Sequence, residues 1–389
     1  MDWLRQMWNR PFYKYSSDEN YEWEIQIARL ALWPSGLWPE TGKMTRIRFF
    51  SALLIMVGFT IDLVLGMNEI VARMSAISFF TPYIASLISL YSNANTFLSI
   101  LEEMRGNWKT VFFEDEEILH HYARRSRFFS WIVVIGKGFV GLQLFEKFIA
   151  RKPVTTPDDT QDLPFSSKAF ISACISIIRE ITLLTMRITE MGINLCFILL
   201  TTHICGQLVK LGSRIQAHEG KIRHSLGEDI LQRCSCLKCI VDSHVGIYEF
   251  VARIDGYFHK TMFLQLSQSV IQFAINGFLV SETFIDRDYA QLIKYSFYLL
   301  LNFPTVFLYC WMAEMVQQKS EALGDIAYST EWMTKDPKIA RHLMFIIRHS
   351  RVPLSLTAGK YFVLSLSLFR EYVFTSISYL SVLVNIKLR

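Results

Sequence analysis

Seven apolar stretches of bilayer length constrain this chain more than any other feature. They run over residues 46–67, 77–101, 128–150, 188–211, 261–281, 290–312 and 361–385. A hydrocarbon core of about 30 Å is crossed by roughly 20 apolar residues wound as an α-helix. Inside lipid every backbone N–H and C=O needs an internal partner, so stretches of this length become helices. Residues 168–187 are also apolar, but Arg179, Glu180 and Arg187 interrupt them. They are expected to extend the fourth helix on its outer side rather than to cross separately. Only 19% of the 389 residues are charged and 30 are Phe, against about a quarter charged in soluble domains. That composition excludes a disordered chain, a collagen-like rod and a disulfide-stapled mini-protein. The predicted class is an all-α membrane protein with seven transmembrane helices.

The distribution of Lys and Arg orients the bundle. With the N-terminus cytosolic, segments 1–48, 102–127, 210–260 and 313–360 lie inside and hold 27 Lys and Arg. The outer segments 69–76, 150–168, 282–290 and 386–389 hold 7. Where the outer loops are charged they are mostly acidic, with Asp158, Asp159, Asp162, Glu282, Asp286 and Asp288. The N-terminus is therefore placed in the cytosol and the C-terminus outside, opposite to a G-protein-coupled receptor. The stretch Asp286-Arg287-Asp288-Tyr289 superficially resembles that family's arginine motif but falls in an outer loop, where the match is accidental. Residues 1–45 carry no apolar core of about 7–15 residues, so the first helix is expected to serve as the signal anchor.

Sequence features of an enzyme are absent. There is no phosphate-cradling glycine loop followed by Lys-Ser/Thr and no dinucleotide fingerprint. Cys234, Cys236 and Cys239 form a CxCxxC cluster without a well-spaced fourth ligand, so reduced cytosolic thiols are expected rather than a metal site. His120, His121, His218 and His224 fall in polar segments and are expected to be solvated. No cofactor, metal or nucleic acid is implied. Charges within the spans are costly. Glu146, Lys147 and Lys294 lie near helix ends, where they can snorkel. Lys137 lies about 14 Å deep at 1.5 Å per residue, near the midplane, and is expected to face a polar cavity or a carboxylate.

The C-terminal third then carries a recognisable pattern. Tyr309-Cys310-Trp311-Met312-Ala313-Glu314 is followed by Ser320, Ala327-Tyr328 and Trp332. Pro353-Leu354-Ser355-Leu356-Thr357-Ala358-Gly359-Lys360 precedes Leu364-Ser365-Leu366, and Ser376-Ile377-Ser378-Tyr379 leads to Val382-Leu383. Upstream stand Gly36-Leu37-Trp38-Pro39 and His203-x-x-Gly206-Gln207. Together these resemble the insect odorant receptor family over residues 36–387. The sequence departs from the family pattern at Ala313, where Gly is frequent, and at Ile377 and Leu380, where Tyr and Phe are. The resemblance implies an odorant-gated, cation-conducting channel of inverted topology, assembled as a heterotetramer with the odorant receptor co-receptor in the membrane of a sensory dendrite. The short loop between helices four and five marks a ligand-tuning subunit rather than the co-receptor. The alternatives are a gustatory-receptor-like channel for a soluble tastant and a membrane carrier. A carrier would show inverted repeats with broken helices in both halves, and no such symmetry is present.

The expected organisation is a cytosolic segment 1–45, helices one to six over 46–312, a cytosolic anchor from 210–260 and 313–358, and a seventh helix with a short tail over 361–389. Phe79, Phe80 and Tyr83 share a face of the second helix. Gly138, Gly141 and Phe145 follow i, i+3, i+7 on the third. Met191 and Leu195 pair on the fourth, and Tyr295 and Tyr298 on the sixth. These are the candidate outer pocket for a small volatile molecule. Tyr309, Trp311, Tyr328 and Trp332 are the candidate subunit anchor, since aromatics are enriched at interfaces. On the seventh helix Glu371, Thr375, Ser378, Val382 and Asn385 recur as one narrow stripe. Ser378, Val382, Asn385 and Ile386 are the candidate pore and gate, with Val382 and Ile386 as an apolar constriction.

Overall fold

The computed structural model describes residues 17–39, 43–65, 70–109, 113–150, 165–218, 222, 236–330, 332–334 and 336–388. Within them the chain is helical almost throughout. In chain order the helices are α1 (Ser17–Leu32), α2 (Lys43–Leu65), α3 (Ile70–Ser92), α4 (Ala94–Lys109), α5 (Phe113–Ala150), α6 (Phe165–Gln216), α7 (Leu237–Ile285), α8 (Tyr289–Tyr328), α9 (Pro337–Ser350) and α10 (Leu366–Leu388). A two-stranded antiparallel hairpin, β1 (Thr357–Ala358) and β2 (Phe362–Val363), precedes α10.

α6 is the axis of the molecule. It packs against α1, α2, α5, α7 and α8, and every residue from Gly192 to Leu208 is buried. A helix enclosed on all sides needs no polar face, which explains its unbroken apolar run. Its 52 residues span about 78 Å at 1.5 Å per residue, far beyond a ~30 Å bilayer core. Residues 168–187 are continuous with it, as their reading as an extension required. Arg187 and Glu190 pair at 3.5 Å while half-buried, so each offsets the other's desolvation. Among the described residues, Glu180–Gln216, Leu237–Ile285 and Tyr289–Tyr328 are long and apolar enough to cross a membrane, and the bent pair Phe80–Ser92 with Ala94–Lys109 makes a fourth.

Two expected spans differ in shape. The second, 77–101, is not straight: α3 and α4 meet at 64°. Asn93, at the break, donates its side-chain amide to the Ser89 carbonyl at 2.8 Å, a local bond that competes with helix continuation. The seventh begins at Leu366 rather than 361, because residues 357–363 form the hairpin.

α1 and α9 show the periodicity that the central helices lack. α9 buries Ile339, Leu343, Ile346 and Ser350. Asp336 caps it by accepting the Lys338 N–H at 2.8 Å, Pro337 fills the first turn, and Arg348 and His349 close the last. α1 lays Tyr21, Ile25, Ala28 and Leu32 on the bundle. Beyond it Trp38 packs edge-on against Phe97, ring centres 5.8 Å apart, which gives the Gly36–Pro39 motif a packing role.

Candidate ligand site, pore stripe and their linkage

α2, α3, α6 and α7 approach one another. Phe80 and Tyr83 are buried on α3, with Phe80 edge-on to Phe59 of α2 at 5.8 Å. The Tyr83 hydroxyl donates to the Met186 carbonyl of α6 at 3.2 Å, and Gln272 of α7 donates to the Ser78 hydroxyl at 2.9 Å. Leu195 is buried in the core and Met191 packs at its edge. Tyr295 and Tyr298 are half-buried on α8. The Tyr295 hydroxyl donates to Gln291 at 3.4 Å, and the Lys294 ammonium lies 4.7 Å from the Tyr295 ring. α7 packs against both α3 and α8. The side chains of Phe79, Gly138, Gly141 and Phe145 lie outside the described residues, as do those of Lys137 and Asp62.

α10 presents two unlike faces. Tyr372 and Ser376 are buried. The Tyr372 and Ser269 hydroxyls are 2.7 Å apart, and a Cβ built on Gly277 of α7 would lie 2.6 Å from Leu380. Thus 372, 376 and 380, at i, i+4 and i+8, form the face packed on α7. Glu371, Thr375, Ser378, Val382 and Asn385 are all exposed, so the stripe does not pack against its own chain. The Ile386 side chain is outside the described residues.

The hairpin fastens the start of α10 to the bundle. Asp255 of α7, 7% exposed, accepts the Thr357 N–H at 2.6 Å and the Thr357 hydroxyl at 2.8 Å, and its other oxygen meets the Lys360 ammonium. The Gly359 N–H donates to the His259 carbonyl at 2.8 Å. Gly359 and Lys360 both have φ of +66°, the sign pattern of a primed hairpin turn. A side chain on Gly359 would also meet the Phe263 ring at 3.0 Å. From α8, Glu314 accepts the Leu366 N–H at 3.2 Å, Gln317 donates to the Leu364 carbonyl at 2.8 Å, and the Ser320 hydroxyl accepts the Leu354 N–H at 3.0 Å. Glu314, Gln317 and Ser320, at i, i+3 and i+6, hold the whole entry to α10. Sequence reasoning singled out Glu314 and Ser320 by resemblance but missed Asp255 and Gln317. Asp255 stands just before the fifth apolar span, where a charge raises no alarm.

Two expectations need correction. Tyr309 is not at a partner surface: it is 1% exposed and its hydroxyl donates to Asn194 of α6. Trp311 also packs inward, edge-on to Phe129 at 4.9 Å. Of the four anchor candidates, Tyr328 is exposed and Trp332 partly so. His120 and His218 are buried rather than solvated. His120 packs on Trp108 with ring centres 5.2 Å apart. Cys236 is buried ahead of α7 and Cys239 half-buried within it, while Cys234 lies outside the described residues.

A polar cluster beneath α1 was also not foreseen. Glu24 of α1, 6% exposed, accepts the Trp108 indole N–H at 2.7 Å and lies 4.0 Å from His203. Burial pushes its carboxyl up to about 8, against the opposing pull of the Trp108 bond and Arg127. Arg127 lies 3.5 Å over the Trp23 ring and donates to the Trp23 carbonyl. These contacts tie the N-terminal helix to α4, α5 and α6.

A family model described as 7tm Odorant receptor matches residues 66–377. Odorant receptor 83a of Drosophila melanogaster is 24% identical over 169 residues, 43% of this chain and 37% of that protein. Odorant receptor 13a of Drosophila melanogaster is 27% identical over 199 residues, 48% of this chain and 46% of that protein. The odorant receptor coreceptor of Ooceraea biroi is 22% identical over 153 residues, 39% of this chain and 32% of that protein. The matches span less than half the length of these curated relatives. Among solved structures, the insect olfactory receptor OR5 from Machilis hrabei in complex with eugenol superimposes with a TM-score of 0.73 at 17% identity, covering 95% of this chain and 99% of that one. That likeness fixes the fold as that of the seven-helix olfactory receptors. With the family model covering most of its length, this multi-pass membrane chain belongs to the 7tm odorant receptor family, a family of receptors and not of enzymes.

Proposed function

We propose that the chain is the ligand-tuning subunit of an odorant-gated, non-selective cation channel. Its N-terminus is cytosolic and its C-terminus extracellular, and it assembles with the odorant receptor co-receptor as a heterotetramer. The observation that carries this reading is the split character of α10. One face is committed to α7, while the polar and small stripe from Glu371 to Asn385 is exposed in the single chain. In a membrane such a stripe is costly against lipid and favourable against water or neighbouring subunits. The central seam of a tetramer supplies both. There Val382 closes the path with Ile386, and Asn385 offers amide dipoles suited to weak selection among monovalent cations.

The ligand belongs in the outer half, among Phe79, Phe80, Tyr83, Gly138, Gly141, Phe145, Met191, Leu195, Tyr295 and Tyr298. The OR5 receptor was solved with eugenol. For this chain the aromatic lining favours a small apolar or semi-polar volatile. Partner contact falls to the inner surface near Tyr328 and Trp332, where Met333, Met344 and Phe345 are also exposed.

The test is current recorded from cells that co-express the chain with a co-receptor, over a broad odorant panel. Val382→Ser raises resting current and Asn385→Asp shifts cation permeability. Tyr83→Ala, Phe145→Ala and Tyr298→Ala move the odorant dose–response at normal surface expression. Unchanged current and permeability would remove the stripe from the pore, and three unchanged dose–responses would displace the pocket.

A further inference from the structure

α7 carries a polar stripe distinct from the pocket and pore residues. Thr261, Gln265, Gln268, Gln272 and Asn276 recur every four, three, four and four residues, within about 80° of arc at 3.6 residues per turn. All five are buried or half-buried, on a helix apolar enough to cross a membrane. Polar side chains in such a helix are costly, face the bundle interior and mark substrate paths.

The stripe faces α3. Gln272 donates to the Ser78 hydroxyl at 2.9 Å. Tyr257, earlier on α7, stacks on Phe97 just past the end of α3, with ring centres 4.9 Å apart. The two helices therefore run antiparallel, and equal steps from the Ser78–Gln272 contact reach one level. Eleven residues onward along α3 stands Ser89, and eleven residues back along α7 stands Thr261. Eleven residues make about three turns, so both side chains stay on the facing sides. Between these levels α3 offers only the small groups Pro82 and Ser86 on that face.

Hydrogen bonding along this seam is incomplete. Thr261 Oγ1, Ser89 Oγ and Gln265 Oε1 are buried and meet no donor or acceptor among the described residues. Comparable hydroxyls bond back along their own helices. Ser86 and Ser92 donate to the Pro82 and Ile88 carbonyls at 2.8 and 2.7 Å, and Thr283 to the Leu279 carbonyl at 2.9 Å. The Gln265 side chain also reaches the Tyr309 hydroxyl, while its amide oxygen can only accept. Buried polar groups without partners are rare and costly. Thr261 and Gln265 stand one turn apart, with Cβ atoms about 5–6 Å from each other, so one oxygen between them reaches both at about 2.8 Å.

We propose that the α3–α7 seam binds the hydroxyl group of an alcohol or phenol. The ligand O–H donates to Gln265 Oε1, and its oxygen accepts from the Thr261 or Ser89 hydroxyl. An ether of the same skeleton can only accept, so it leaves Gln265 unpaired. This inference rests on the odorant reading proposed above and adds the functional group to it: aromatic residues such as Phe80 and Tyr83 hold the carbon skeleton, and the seam selects the hydroxyl.

Binding to the full chain, purified with the co-receptor in lipid nanodiscs, tests this without reference to current. The probes are 1-alkanols and simple phenols, each beside its own methyl ether, and the readout is apparent affinity from the ligand-dependent rise in Tm. At least one hydroxyl probe binds about 10-fold tighter than its ether, the upper end for one net hydrogen bond. Gln265→Met lowers the hydroxyl probe to the level of its ether and leaves the ether unchanged. Thr261→Val combined with Ser89→Ala weakens both probes alike by about 5-fold, because those hydroxyls serve either oxygen. Should Gln265→Met fail to fold, this conservative double variant carries the test. Ser92→Ala, exposed on α3, changes neither affinity. A hydroxyl preference without odorant-evoked current defeats the channel reading and leaves the seam standing. No hydroxyl probe binding better than its ether, a preference that survives Gln265→Met, or unchanged affinities in the double variant overturns the proposal.

Discussion

Asp255→Ala is the sharpest probe of how α10 is held. The substitution removes an acceptor of the Thr357 N–H at 2.6 Å and of the Thr357 hydroxyl at 2.8 Å, together with the partner of Lys360. A hydrogen bond to a charged group contributes about 1.5–3 kcal/mol. The Lys360 side chain is 52% exposed, so its ion pair adds at most about 1 kcal/mol. Two half-buried bonds that share one oxygen are not additive, and a loss of about 2–4 kcal/mol in hairpin docking follows. Local opening of the hairpin then becomes roughly 30- to 1000-fold more frequent. Hydrogen exchange across residues 354–364 reads this directly, because the Thr357 amide is itself one of the donors. Asp255→Asn keeps an acceptor and loses only part of the protection, and Lys360→Met loses least. Unchanged exchange in Asp255→Ala, or a Lys360→Met effect as large, would show that the carboxylate does not hold the hairpin.

Three other outcomes follow from the packing. Glu24 is raised to about 8 by burial, so the folded state binds its proton more tightly than the unfolded chain does. The stability this brings is complete below about pH 4.5 and is lost as pH rises toward 8, at no more than about 1.4 kcal/mol per pH unit; Glu24→Gln flattens that part of the Tm–pH curve. Gly277→Leu forces a side chain into the 2.6 Å approach of Leu380 and costs about 1–3 kcal/mol, and Leu380→Ala in the same chain restores part of the Tm. Trp332→Ala weakens recovery with the co-receptor in a pull-down by roughly 30-fold, the scale of about 2 kcal/mol for an aromatic interface anchor, and full recovery would exclude an interface role.

The fold was legible where one property dominates. Apolar length alone located α2, α5, α6, α7 and α8, because backbone satisfaction in lipid leaves a stretch such as 188–211 no alternative to a helix. The break at Asn93 was not legible, since a single amide bonding back to Ser89 decides it. The hairpin before α10 was hidden for a related reason. Its second strand, Phe362–Val363, read as the start of an apolar span, and its geometry rests on Asp255, about a hundred residues earlier in the chain. Tyr309 was misread because an aromatic near the end of an apolar span suits an interface and a core equally, whereas it lies in the middle of α8. Asn194, its buried partner, sits in the middle of an apolar run. The α10 stripe was legible from spacing, but which face would remain uncovered depended on Ser269 and Gly277 of another helix.

The attachments of α10 are unequal along its length, and this bears on how such a helix can move. Leu354, Leu356, Ala358 and Leu364 belong to the main core. Past Leu366, the buried residues are Ser376 and Tyr372, the latter in a separate small cluster with Val306 and Cys310. The N-terminal end is thus fixed by Asp255, Glu314, Gln317 and Ser320, while the C-terminal end rests on one helix face against Gly277. A tilt about Leu366 disturbs the small cluster and leaves the main core packed. Val382 lies sixteen residues beyond that pivot, about 24 Å at 1.5 Å per residue, so a tilt of about 10° displaces it by roughly 4 Å. A shift of that size separates apolar side chains that touch at about 4 Å, so the proposed constriction opens with little rearrangement near the clamp. The proposed opening requires a stiff hairpin at the start of α10 and a mobile C-terminal end. A hairpin that exchanged its amides as fast as residues 378–385 would leave no pivot, and ligand-driven motion would then have to reach Val382 through α7 at Gly277 instead.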